Sequence, residues 1–199
     1  MEQQTKRGVL IVLSGPSGTG KGTVCGLVRQ HLGERVEYSI SATTRKPRNG
    51  EENGREYFFY SKKEFEALRE QNGFLEWAQV YDNYYGTPRA FVEKVLASGK
   101  DCILEIDPQG ALQVRKATED AVLVFIAPPS LEELRRRLTG RGTESAEEVE
   151  KRLSCAEGEL AYRNQYDYII INDDVERAAE KMEAIMKAEK CRSWRNLSC

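Results

Sequence analysis

The chain has 199 residues, with 30 Lys and Arg against 32 Asp and Glu for a formal charge of -2. That length allows one large domain burying roughly 70% of its unfolded surface, and the near-neutral balance excludes a generally basic nucleic-acid binder. One histidine and five cysteines (25, 102, 155, 191 and 199), with no Cys-x-x-Cys, exclude a His/Cys metal centre and point to free thiols in a reducing cytoplasm.

The segment Met1 to Arg7 is polar, and the apolar run Val9–Leu13 after it is too short for a signal-peptide core or a membrane span. That run reads as a buried strand. It leads directly into Gly15, Pro16, Ser17, Gly18, Thr19, Gly20, Lys21 and Gly22, and then into a helix expected over Lys21–Leu32. A strand, a glycine-rich loop ending in lysine, and a helix start, in that order, build a phosphate cradle. The competing reading is a flexible glycine turn. Lys21 has no charge partner in the local sequence and is expected to reach outer phosphates. The usual hydroxyl after the lysine is replaced by Gly22 and comes one residue later at Thr23, which leaves magnesium ligation by the loop open. His31 precedes Gly33 and reads as a helix-end or surface residue.

From Ser41 to Arg89 the rhythm breaks into a small β-rich insertion. It has strand candidates at Tyr57–Tyr60 and Phe74–Tyr81 and a helix near Lys62–Gln71. Alternation then resumes: strand Asp101–Ile106, helix Pro108–Lys116, strand Ala121–Ala127, and helix Ser130–Leu138 with a capping box from Ser130 and Glu133. The stretch Thr139–Leu160 is Gly- and charge-rich, then amphipathic. Strand Tyr168–Ile171 and helix Val175–Glu189 follow, and Lys190–Cys199 is a polar tail expected to fray. The strands are continuous apolar runs, so both faces should be covered. The fold class is α/β: a parallel sheet wrapped by helices, its long excursions acting as lids over a ligand.

Three groups of residues suggest chemistry. Arg45 and Arg48 flank Pro47, and two guanidinium forks suit a second phosphate, although a solvated basic turn would look the same. Tyr57 and Tyr85 are either phenol donors to that anion or packing aromatics. Glu76 sits between Leu75 and Trp77, as a ligand or as an exposed strand residue. Glu105 and Asp107 lie two apart at a strand's C-terminal end, so they should project from one face where α/β sheets bind ligands, and Asp107 also suits a helix N-cap. Arg137, Arg141 and Arg152 could face a phosphate from a closing lid, while Arg135 and Arg136 stay in solvent.

The chain resembles the guanylate kinase family. The resemblance rests on Ser-Gly-Pro-Ser-Gly-Thr-Gly-Lys-Gly-Thr at 14–23, Ser-Ala-Thr-Thr-Arg at 41–45, Glu-Trp-Ala at 76–78 and Asn-Tyr-Tyr-Gly-Thr at 83–87. It continues in Ile-Leu-Glu-Ile-Asp-Pro-Gln-Gly at 103–110, Ala-Pro-Pro-Ser at 127–130, Gly-Arg-Gly-Thr-Glu at 140–144 and Asn-Asp-Asp at 172–174. It implies a P-loop core (8–40, 90–131 and 161–190), a GMP-binding region (41–89), a lid (132–160) and a tail (191–199). It implies transfer of phosphate from ATP to GMP with Mg2+, in the cytoplasm, with dGMP an expected second acceptor and no nucleic-acid or membrane partner. It assigns the guanine to Ser41, Glu76, Thr87 and Asp107, with Glu105 where an aspartate is common, and the GMP phosphate to Arg45, Arg48, Tyr57 and Tyr85. It assigns the ATP phosphates to the loop 15–23 and, on the lid side, to Arg137, Arg141 and Arg152. Asn172 goes to the neighbourhood of the adenine. A non-catalytic binding module and a kinase for another nucleoside monophosphate are the alternatives; the loop lysine disfavours the first and Glu76 disfavours an adenine acceptor.

Overall fold

The structure is a computed structural model, and it describes residues 7–140 and 145–195. Its centre is a five-stranded sheet in which every pairing is parallel. The strands are β1 (Leu10–Ser14), β2 (Val36–Tyr38), β7 (Asp101–Glu105), β8 (Val122–Ala127) and β9 (Tyr168–Ile171), in the order β2-β7-β1-β8-β9. β1 and β8 are buried along their whole length, as their uninterrupted apolar sequences require. Alternate residues feed two cores. Val9, Ile11 and Leu13 pack with Val24 and Val28 of α1 (Lys21–Leu32) and with Ala178 and Met182 of α7 (Val175–Glu189). Leu10 and Val12 pack with Val92 and Leu96 of α3 (Arg89–Ala97) and with Ala111 and Val114 of α4 (Pro108–Ala117).

β9 departs from the expectation of two covered faces. It is an edge strand: Ile170 is buried, but Ile169 and Ile171 are 45% and 43% exposed. Neither β2 nor α3 was legible in the sequence. The tail also departs from expectation as far as it is described. A short 3-10 turn at Ser193–Arg195 folds back, and Arg195 Nη2 donates to the Asp120 carbonyl at 2.9 Å.

A second sheet is built between residues 42 and 88, in the order β4-β3-β6-β5. Its strands are β3 (Ala42–Thr43), β4 (Phe58–Phe59), β5 (Phe74–Val80) and β6 (Asn83–Pro88), with α2 (Lys62–Glu70) between β4 and β5. The strand expected over Tyr57–Tyr60 shrinks to two residues, because β4 pairs only with the two-residue β3. α2 has the reciprocal capping box of Ser61 and Glu64, and its Phe65 stacks on Phe74 at 4.3 Å.

α5 (Leu131–Thr139) and α6 (Ala146–Leu160) share a small core of Leu134, Leu138, Val149, Leu153 and Ala156. Ser130 caps α5 by accepting from the Glu133 amide, but the reciprocal half of the expected box is missing. The Glu133 carboxylate pairs instead with Arg136 and Arg137.

Candidate active site

The loop from Gly15 to Gly20 joins β1 to α1 by a path that calls for glycine at three points, Gly15, Gly18 and Gly20. At Gly15 φ is +144° and a Cβ would lie 2.1 Å from the Ile126 carbonyl oxygen. At Gly20 φ is +86° and a Cβ would lie 2.5 Å from Asn172 Nδ2. Thr19 is buried, and its amide and hydroxyl both donate to the Pro16 carbonyl, at 3.3 and 2.8 Å. Its side chain therefore braces the turn. Ser17, Gly22 and Thr23 are exposed, and a Cβ at Gly22 would meet nothing within 4 Å.

α1 begins with no side-chain cap and no acidic residue in its first turn. By contrast α2, α4, α5, α6 and α7 are capped by Ser61, Asp107, Ser130, Ser145 and Asp174. The first-turn amides of α1 and the positive end of its dipole thus remain available to an anion. Lys21 does find a partner: its Nζ folds back onto the carbonyls of Gly15 (2.6 Å) and Pro16 (3.1 Å). Burial lowers its pKa, opposed by the nearby carboxylates of Glu105 and Glu159. A cavity of about 280 Å3 opens here, lined by Gly15, Ser17, Lys21, Glu105, Ile106, Asp107 and Glu159.

Glu105 and Asp107 do not share a strand face. Glu105 is the last residue of β7, and Asp107 is the N-cap of α4, its Oδ1 accepting from the Gly110 amide at 2.8 Å. Both still reach the cavity, because the chain turns there at the carboxyl end of the sheet.

Glu76 is only 8% exposed, which removes its reading as a surface strand residue. Its Oε1 accepts from the hydroxyl of buried Thr87 at 2.6 Å, and a Cβ at Gly110 would lie 3.3 Å from its Oε2. Burial raises the Glu76 pKa, opposed by the Thr87 hydrogen bond and reinforced by the charge of Asp107. The next residue is held by α4: Gln113 accepts from the Trp77 amide and donates to its carbonyl, both at 3.1 Å. A side-chain amide thereby takes the place of a neighbouring strand on the β5 edge. Ala42 pairs with Gly86 and Thr43 with Tyr85, so the antiparallel register sets Ser41 opposite Thr87.

Arg45 and Glu51 form a two-pronged pair, with both bonds at 2.9 Å. Glu51 was missed in the sequence reading; its carboxyl is pulled down to about 2, first by the Arg45 hydrogen bonds and then by the Arg48 amide. The Arg45 guanidinium lies over the Tyr57 ring, 5.4 Å from its centroid, and Tyr57 meets Tyr85 edge-on at 6.1 Å. Arg45, Tyr57 and Tyr85 are thus brought together, and the Arg48 side chain is exposed beside them.

Arg137 donates from Nε to Glu133 (2.8 Å) and from Nη2 to the Asn172 carbonyl (2.9 Å). Arg152 lies half-buried on α6; the Glu148 carboxyl is held down mainly by its hydrogen bonds with Ser145, and the Arg152 charge adds to them. Arg135 and Arg136 sit on the outer side, paired with Glu150 and Glu133. Arg141 lies outside the described residues. Asn172 is 3% exposed, and its Nδ2 donates to the Thr19 carbonyl at 2.7 Å. One N–H of that amide is thus bonded to the loop.

Comparisons with known proteins agree with one another. The family model described as Guanylate kinase matches residues 7–189. The guanylate kinase of Caldanaerobacter subterraneus subsp. tengcongensis is 56% identical over 192 residues, which is 96% of this chain and 92% of that protein. The guanylate kinase of Clostridioides difficile is 50% identical over 186 residues, 93% of this chain and 90% of that protein. Among solved structures, guanylate kinase from Anaplasma phagocytophilum superposes with a TM-score of 0.71 at 36% identity, covering 96% of this chain and 90% of that one.

Proposed function

The chain belongs to the guanylate kinase family, and from that premise we infer that it transfers the terminal phosphoryl group of ATP to GMP, giving ADP and GDP. The acceptor phosphate is already anionic at neutral pH, so no general base is required. Catalysis rests on alignment and charge neutralisation.

The single observation that supports guanine as the acceptor base is the Glu76 carboxylate, buried against Thr87 and close to Asp107. Guanine presents N1–H and N2–H₂ as adjacent donors, which suit an acceptor-only group. On this reading Ser41, Glu76, Thr87, Glu105 and Asp107 surround the base. Arg45, Arg48, Tyr57 and Tyr85 take the GMP phosphate, with Glu51 aiming Arg45. The loop from Gly15 to Thr23 takes the ATP phosphates through its amides. Lys21 leaves the Gly15 and Pro16 carbonyls to bridge those phosphates, and Arg137, Arg141 and Arg152 add charge from the α5–α6 side as a lid. The same base and phosphate contacts would accept dGMP. We place the reaction in the cytoplasm, in keeping with the free thiols of Cys25, Cys102, Cys155 and Cys191. No helix among the described residues is long and apolar enough to cross a membrane.

Magnesium fits the donor chemistry of this cleft. Glu105, Asp107 and Glu159 border the cavity with hard oxygen ligands, and the Thr23 hydroxyl is exposed at the start of α1. Among the described residues no group of three or more His, Cys, Asp or Glu could hold a metal by itself. The protein's part is therefore to meet an ion already bound to ATP and water, which would supply neutralisation of the transferring phosphate. Purified protein assayed for ADP release with ATP and GMP, IMP or AMP tests the function. GMP should be first, IMP weaker because it lacks the N2 amine, and AMP very poor. Equal kcat/KM for GMP and AMP would refute the base assignment.

A further inference from the structure

Asn172 ties together three parts of the molecule at the carboxyl end of the sheet. Its amide N–H donates to the Ala127 carbonyl at 2.9 Å, which extends the β8–β9 ladder by one rung and fixes its backbone to the rigid core. Its side chain crosses to the phosphate loop and donates from Nδ2 to the Thr19 carbonyl at 2.7 Å. Its own carbonyl accepts from Arg137 of α5 at 2.9 Å. The side chain is 3% exposed, and the loop makes room for it at Gly20, where any Cβ would stand 2.5 Å from Nδ2.

These contacts bear on how the loop keeps its shape. The loop must hold its amides outward for an anion while its carbonyls find partners on the inner side. Lys21 and Thr19 engage the carbonyls of Gly15 and Pro16. The Thr19 carbonyl is served by Asn172 from 153 positions away in sequence. Gly20 follows immediately, in left-handed backbone, and α1 starts at the next residue. Holding the Thr19 carbonyl therefore fixes the peptide plane that opens the helix N-terminus.

We propose that Asn172 is a positioning residue for the phosphate loop, acting on the ATP phosphates through the Thr19–Gly20 peptide and registering α5 and its Arg137 to the same point. This rests on the ATP:GMP phosphotransfer reading above. The role is independent of the nucleotide base, because the Nδ2–H bond to the Thr19 carbonyl is made within the protein.

The test uses Asn172→Ala and Asn172→Asp in the full chain. The aspartate keeps the shape but turns an acceptor against the Thr19 carbonyl, so it should be the worse of the two. Both should lower kcat/KM for ATP by at least about tenfold, the size expected when a buried carbonyl loses its donor. KM for GMP should be unchanged. Inosine triphosphate as donor, which lacks the adenine amine, should lose activity by the same factor as ATP. Hydrogen exchange in the peptide spanning residues 15–24 should quicken in both variants, and the orphaned carbonyl should also lower the melting temperature by a few degrees. A loss confined to ATP would make Asn172 a base contact and overturn the proposal. So would normal kcat/KM with a lowered melting temperature, which would make it a plain structural residue. A parent protein with no ATP:GMP activity would instead refute the function itself.

Discussion

Replacing Glu76 by glutamine separates what this buried carboxylate does for binding from what it does for stability. The two side chains match in size, and Oε1 of the amide can still accept from Thr87, now at 2.6 Å. The second oxygen, packed toward Gly110, becomes an NH₂ donor. Guanine would then face one donor with another, losing one charge-assisted acceptor and leaving a buried N–H unpaired. A hydrogen bond to a charged group contributes about 1.5–3 kcal/mol, and an orphaned buried donor costs about 1–3 kcal/mol. Because the two terms overlap, the net effect is about 2–4 kcal/mol, a fall of roughly 30- to 1,000-fold in kcat/KM for GMP. AMP, with a lone pair at N1, should gain relative to GMP. Stability should move the other way. Burial raises the Glu76 pKa, so the folded protein carries an ionised group it disfavours, and the neutral amide removes that cost. The expected result is a melting temperature equal to or above the parent's, alongside the loss of GMP turnover. The assays are coupled ADP release at saturating ATP and thermal unfolding at neutral pH. A change of less than threefold in GMP kcat/KM with an unaltered GMP-to-AMP ratio would refute the argument.

Acid should expose the same group. Its raised pKa means that its destabilising charge is absent below the ordinary carboxylate range and fully present once pH exceeds the raised value. Parent affinity for GMP should therefore fall, as pH drops, earlier than a free glutamate would allow, and titration calorimetry should find that step missing in Glu76→Gln. Lys21→Met should reduce kcat by orders of magnitude, since a full charge near the transferring phosphate is lost, while unfolding in urea shifts little. Open space at Gly22 makes Gly22→Ser sterically free; it should stabilise α1 by a few tenths of a kcal/mol and lower the Mg2+ concentration needed for half-maximal activity. Thr23→Ala, at an exposed position, should be mild by the same magnesium titration. GMP with a non-hydrolysable ATP analogue should reduce the radius of gyration in small-angle scattering, and identical free and bound profiles would count against closure of the α5–α6 segment.

Local sequence determined those features whose physics is local. The run Val9–Leu13 is apolar at every position, which fits only a strand covered on both faces, and β1 is that strand. Gly15, Gly18 and Gly20 spaced before Lys21 marked the phosphate loop, and all three glycines have positive φ. α1 and α7 took their expected bounds because their apolar spacing and end signals agree. The weak elements were β2, β3, β4 and α3. The three strands are two or three residues long, and their partners lie far along the chain, so no periodicity could develop.

The site divides in the same way. Residue types at fixed short spacing, such as Arg45 with Arg48 or the loop glycines, carry their chemistry in the sequence itself. What each polar group is bonded to does not, because a donor is satisfied by whatever acceptor packing brings within 3 Å. Lys21 looked free and is held by its own loop. Nothing in the sequence singled out Glu51, which is the two-pronged partner of Arg45. Gln113 carried no signal at all, yet it pairs with the backbone of Trp77 beside Glu76. Asn172 meets Thr19 only because β9 lies beside β8 and ends level with the phosphate loop. The sequence alone determined the phosphate loop, the parallel core and the family. Tertiary structure alone decided which polar groups are buried and which side chain each one is bonded to, because burial and pairing are properties of the packed chain and not of its order.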